Sequence, residues 1–284
     1  MAITWKVLAQ GNPAVEQVQA ASQMKDYVTA DRIVAAMRSA SGVTPASTLA
    51  LSWIGRGALA NGDLDRAEKY AALTRSEVLA QLKHRPLDAE PDLPLALGAS
   101  IEVTGLAMAA RGHRSEAVAY LRQEVRTWST TSIALRIQKN LNLLTLDGKP
   151  APALDISHYV GSRPVPLSAL HGHPVLIFFW AHWCGDCKVQ ISMLQQINAT
   201  FGPKGLMMIG PTQLYGIAAG GVEAPPQVEM QWIEQNREKY YGRVGPMSVP
   251  VGEQNFITYG ASSLPTFVLI DKAGLVRLYY PGKM

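Results

Sequence analysis

The chain has 284 residues, 48% apolar and 17% charged, with a formal net charge of +4. That is room for two buried cores, and it excludes a disordered polyelectrolyte. No Lys/Arg run is dense enough for a nucleic-acid stripe and no stretch approaches the ~20 apolar residues of a membrane span, so neither partner is expected. The opening "MAITWKVLAQGNPAVEQ" lacks a basic flank ahead of an apolar core, so no leader is read there.

The first ~145 residues carry Ala, Leu, Glu and Arg at helical spacing. Two segments repeat one another. "WIGRGALANGDLDRAEKY" places Gly55, Gly62 and Ala67 at the same intervals at which "VTGLAMAARGHRSEAVAY" places Gly105, Gly112 and Ala117. Each reads as a helix with a small residue where a partner crosses, a Gly turn, and a second helix with Ala at the crossing. Leu64, Ala67 and Tyr70 are expected to face inward. A third copy around "DYVTADRIVAAM" is weak. The pattern resembles the tetratricopeptide repeat, which implies a helical array that grips a protein or peptide partner. The spacing from Gly62 to Gly112 is wider than that family's usual ~34 residues.

"TLDGKPAPALDIS", residues 145–157, breaks the helical rhythm, and the chain is divided there into a helical domain, 1–145, and a second domain, 146–284. Beyond it "PVLIFFW" and "LMMIG" are continuous apolar runs of strand length, expected to be central and parallel. "PTFVLIDKAGLVRLYY" reads as strand, turn, strand. The second domain is therefore α/β, a sheet ending in a hairpin.

Both cysteines, Cys184 and Cys187, lie in "FFWAHWCGDCKVQ", between the first of these strands and a predicted helix. Cys187, Ile191, Leu194 and Phe201 recur at helical spacing and define a buried face; Gly202-Pro203 ends it. Cys184 then stands at the helix N-terminus with Cys187 one turn in. Unpaired N–H groups there favour a thiolate, the form that attacks disulfides. Cys184 is assigned as the attacking thiol and Cys187 as the resolving one.

"FFWAHWCGDCK" resembles the thioredoxin active site, and "SLPTFVLIDKAG" resembles that family's cis-proline strand and hairpin. Together with "GKPAPALDIS" they are closest to the TlpA/ResA-like branch, which overlaps the redoxin (AhpC/TSA) grouping. The resemblance covers about 150–284. It implies a thioredoxin-like fold and thiol–disulfide exchange with protein substrates. No cofactor beyond the redox-active Cys184–Cys187 pair is implied, and an extracytoplasmic setting is. It further implies that Pro265 is cis and faces the cysteines, that Leu264 offers its backbone to a substrate segment, and that Trp183 forms part of the docking rim.

The departures from that family are informative. Asp186 replaces the proline before the second cysteine, and a carboxylate there disfavours thiolate, which leans toward a reducing enzyme. Phe178 occupies the place of the family's buried Asp, so His182 or Asp186 is expected to accept the proton. The stretch 214–252 exceeds a minimal crossover. Its "QVEMQWIEQNREKYY" reads as an amphipathic helix burying Val228, Trp232, Ile233 and Tyr240, with a substrate-shaping loop as an alternative role for the segment. Three rival functions find less support in the residues. Copper binding through the thiols with His171, His173 or His182 lacks the wider cysteine spacing of copper chaperones, and zinc lacks four spaced ligands, so no metal is expected. Peroxide chemistry lacks its Thr, since Ala181 stands there. A binding scaffold with an accessory thioredoxin-like domain is the remaining alternative.

Overall fold

The computed structural model describes residues 12–284; the leader reading made on the opening segment concerns residues 1–11, outside that range. Among the described residues, one compact unit runs to Leu141 and the other from Asn142 to Met284.

The first unit is all-helical: α1 Pro13–Gln23, α2 Tyr27–Ser41, α3 Pro45–Ala60, α4 Leu64–Gln81, α5 Asp92–Ala110 and α6 Arg114–Thr127. A further helix, α7 Ala134–Thr145, carries the chain into the second unit. Local chemistry sets the starts. Asn12, Asp26 and Asp63 accept backbone N–H groups at the first turns of α1, α2 and α4, and Thr44 with Ser47 forms a reciprocal cap on α3. Three hairpins share one turn. Asp26, Asp63 and His113 donate their N–H to the carbonyls of Ala21, Ala58 and Met108, closing the same ring after α1, α3 and α5. The residue before each donor is left-handed: Lys25, Gly62 and Gly112. The weak third copy is thus a structural equal whose turn lacks the glycine that would have marked it. A left-handed Lys carries a steric cost that Gly avoids. Lys25→Gly is expected to stabilise the chain by up to about 1 kcal/mol, read as a raised urea midpoint.

Close crossings also follow the repeat. A Cβ on Gly105 would meet the Leu121 side chain at 2.9 Å, and one on Gly55 would touch Tyr70 and Ala71 at 3.4 Å. Ala67, Tyr70 and Ala117 are buried, while Leu64 is only half-buried. Helix α5 corrects the reading that nothing in the chain suits a membrane span. By length and hydropathy it could cross one, yet more than half of it is buried against neighbouring helices of its own unit. Its Glu102 binds Arg136, Lys139 and Asn140. Apolar length alone does not separate a bundle's central helix from a span.

The second unit is a six-stranded mixed sheet. Its strands are β1 Tyr159–Val160, β2 Val175–Phe179, β3 Met207–Ile209, β4 Met247–Pro250, β5 Thr266–Ile270 and β6 Val276–Pro281, in the order β1-β4-β3-β2-β5-β6. β2, β3 and β4 are parallel; β5 and β6 are antiparallel to their neighbours. Helices α8 Gly185–Val189, α9 Ile191–Phe201, α10 Pro226–Asn236 and α11 Glu253–Tyr259 complete it. β2 is buried along its whole length, as its unbroken apolar run requires. Alternation sends Phe178 to one face, against Tyr241 and Phe267, and Phe179 to the other, against Phe256 and Tyr259. β1, β4 and α11 were not anticipated; they are short, and β4 and α11 lack a period of their own. The Pro-rich entry is pinned to α11: Asn255 binds the N–H and C=O of Asp155 through its amide, and the Tyr259 hydroxyl donates to Pro152.

Candidate active site

β2 delivers the chain to the site. Trp180, just past its end, anchors the turn by donating its indole N–H to the Gly210 carbonyl at 2.8 Å. Cys184 then caps α8 with extended backbone, and its Sγ accepts the Cys187 N–H at 3.0 Å. The two sulfurs are joined as a disulfide. Both lie in the apolar cluster on the Phe178 face, with Leu264 packed against it. Cys184 is 4% exposed and Cys187 0%.

The helix that follows departs from the expected single rod. It breaks at Gln190 into α8 and α9. Leu194 is buried and Ile191 half-buried, but Phe201, at the C-terminal end of α9, is 48% exposed. Asp186 is exposed, with the Lys283 ammonium 3.3 Å from its carboxylate. That cation offsets part of the charge Asp186 presents to the sulfurs.

The Leu264–Pro265 peptide is cis, as expected. Register places it: Thr266, the next residue, pairs with Phe179, so Pro265 flanks the strand end from which the chain leaves for Cys184. The Pro265 carbonyl accepts the Gly282 N–H, which leaves Leu264 at the lip of the sheet. Trp183 is 47% exposed, its ring edge-to-face with Tyr215 at 5.2 Å.

His182 is fully enclosed. Its Nε2 lies 3.0 Å from Oε1 of Glu229, which is itself buried and also accepts the N–H groups of Tyr215 (2.6 Å) and Gly216 (2.8 Å). The Tyr215 ring stands edge-on to His182 as well as Trp183. This corrects the expected helix face in part: Ile233 is buried and Trp232 and Tyr240 are half-buried, but Glu229 and Asn236 also turn inward and Val228 is 46% exposed. Three donors aimed at one carboxylate outweigh the gain from burying a valine. Glu229 and Tyr215 escaped sequence reasoning. The only signal was an acid at an apolar-face spacing three residues before Trp232, and nothing tied it to a histidine 47 residues away. His171 and His173 are exposed in the turn before β2, His173 facing the Gly205 carbonyl.

Burial pushes the His182 imidazole below its ordinary range; the hydrogen bond and charge of Glu229 push it up, and Lys188 pushes it down. Desolvation wins, so at neutral pH the ring is neutral and donates from Nε2 to Glu229. A depressed folded value means that the unfolded chain takes up the proton first. Stability is then full above about pH 6.5 and falls as pH drops through the folded value. A chemical-shift titration of His182 is expected to place its midpoint below 6.5, with the urea midpoint falling from pH 7 to 5. A midpoint above 6.5 would mean that the Glu229 charge dominates.

Residues 148–279 match the profile of the AhpC/TSA family. Among curated proteins, the chain is 28% identical over 129 residues to the thiol-disulfide oxidoreductase ResA of Bacillus thuringiensis, covering 45% of this chain and 66% of that one. It is 30% identical over 139 residues to the thiol:disulfide interchange protein DsbE of Xylella fastidiosa, covering 48% and 62%. The match thus spans somewhat less than two thirds of each relative's length. A solved thioredoxin family protein of Chlorobium tepidum is similar at 22% identity over 48% of this chain and 88% of that one, with a TM-score of 0.37. The helical unit precedes the family match.

Proposed function

Starting from a TlpA/ResA-like thioredoxin-fold domain over residues 148–279, we propose that the chain exchanges disulfides with protein substrates through Cys184 and Cys187, in the reducing direction. One observation carries the reading. Two cysteines close a disulfide at a strand–helix junction, the outer sulfur accepts a helix N–H, and an exposed tryptophan stands beside it. In the dithiol form the Cys184 thiolate attacks one sulfur of a substrate disulfide. That bond breaks, the substrate's other sulfur leaves as thiolate, and a mixed disulfide forms. Cys187, deprotonated, then attacks Cys184 Sγ. The second substrate sulfur leaves, and two electrons have passed from the protein to the substrate. An external dithiol must restore the reduced pair. Trp183 and Leu264 border the substrate segment, and Pro265 shapes the groove. Either His182 or the solvent-facing Asp186 takes the Cys187 proton, with the enclosed His182–Glu229 pair the better insulated of the two. No cofactor beyond the cysteines is required.

We further assign the helical unit, with its three like-turned hairpins, to holding the substrate or its carrier in the manner of a tetratricopeptide array, outside the cytoplasm. The experiment is a redox titration of the cysteine pair alongside turnover of a protein disulfide by the full chain. A potential near about −270 mV with turnover is expected; one near −120 mV would reverse the direction. Absence of turnover would leave a scaffold.

A further inference from the structure

Beside the redox motif lies a cavity of about 500 Å³, bounded by Trp183 and Lys188 from the motif, Gly221 from the following loop, and Trp232, Lys239 and Tyr240 along and beyond α10. Its volume is that of a small-molecule or side-chain pocket. His182 also lines it, so the cavity shares Trp183 and His182 with the exchange site, while its Lys188, Trp232, Lys239 and Tyr240 have no part in the exchange steps above. Aromatic rings and two lysines line it, with no carboxylate.

The lysines are held there without neutralisation. Lys188 Nζ lies 4.6 Å and Lys239 Nζ 5.1 Å from the centroid of one ring, Tyr240. Among the described residues neither forms an ion pair, whereas Lys139 and Lys283 do. The nearby acids are engaged elsewhere: Glu234 and Glu238 bind Arg237, and Glu229 accepts its three donors behind His182. The two ammonium groups are no farther apart than the sum of their distances to the ring, close to one screening length of about 8–10 Å, so each raises the potential at the other. The ring's negative face offsets part of this. A carboxylate entering the cavity would offset the rest, with its aliphatic stem against Trp183 and Trp232.

We propose that this cavity is a subsite for an acidic side chain, Asp or Glu, of the substrate polypeptide, close in sequence to the cysteine that exchanges with Cys184. The proposal rests on the exchange reading and adds to it the class of substrate: disulfides flanked by a carboxylate.

The test uses the full chain, a chemical dithiol as reductant, and two synthetic peptides with one internal disulfide each. They differ only in a Glu or Gln beside a cysteine. A kcat/KM roughly three- to tenfold higher for the Glu peptide is expected, the size that two part-exposed ion contacts give, and the ratio should shrink at 0.5 M salt. Lys239→Gln should bring the ratio toward one, and Lys239→Glu should bring it below one; both changes are on an exposed side chain and leave the fold intact. A ratio of one in the unaltered chain overturns the subsite. Turnover of neither peptide overturns the exchange reading instead. A ratio of one for the peptides, with dithiobis(2-nitrobenzoate) strongly preferred over uncharged dithiodipyridine, overturns the polypeptide occupant in favour of a small carboxylated disulfide.

Discussion

Cys184→Ser is expected to abolish the proposed exchange, lowering turnover of a protein disulfide by ~10³-fold or more, because on that reading the attacking sulfur has no substitute among side chains at the site. Cys187→Ala is expected to behave differently: the first attack should proceed and the mixed disulfide persist, accumulating as a covalent adduct on Cys184. The geometry supports this asymmetry. Cys184 is the more exposed of the two and stands beside Trp183, while Cys187 is sealed. The Cys187 amide points at Cys184 Sγ, and once the pair is reduced a donor in that position favours the thiolate. Alkylation of the reduced chain by iodoacetamide, followed by mass spectrometry, is expected to label Cys184 first. Labelling of Cys187 first would reverse the roles.

Glu229→Ala costs several kcal/mol. The carboxylate is the common acceptor for the buried His182, the N–H of half-buried Tyr215 and the N–H of exposed Gly216. Each buried donor left unpaired costs about 1–3 kcal/mol; the exposed Gly216 N–H can turn to water, so the two remaining donors put the loss on the order of 2–6 kcal/mol. Glu229→Gln keeps one oxygen acceptor and should lose about half as much. The loss is local in its second effect. With Glu229 gone, the turn at 215–216 is released, and the Tyr215 ring that braces Trp183 goes with it. Hydrogen exchange of the Tyr215 and Gly216 amides should rise by orders of magnitude in Glu229→Ala, alongside a lower urea midpoint. A midpoint within about 1 kcal/mol of the parent would show that the carboxylate is dispensable to the fold.

What could be read from the sequence was what neighbours in the chain decide. The unbroken run of β2, the Asp-Lys-Ala-Gly hairpin and the cysteines at a strand–helix junction are each set within a few residues, and each lies where its local chemistry put it; the cis peptide before Pro265 followed from the family resemblance. The doubled helical hairpin was visible because Gly62 and Gly112 mark it; the third was nearly silent because Lys25 adopts the same backbone without the marker. The tertiary structure alone decided which face α10 buries, where the cysteine helix breaks, and that apolar α5 lies within its own unit's helical bundle. Those outcomes turn on pairs far apart in the chain, such as His182 with Glu229 and Glu102 with Arg136. Hydrophobic spacing records how often a side chain turns inward. It holds no term for a distant donor that makes an inward carboxylate cheaper than an inward valine.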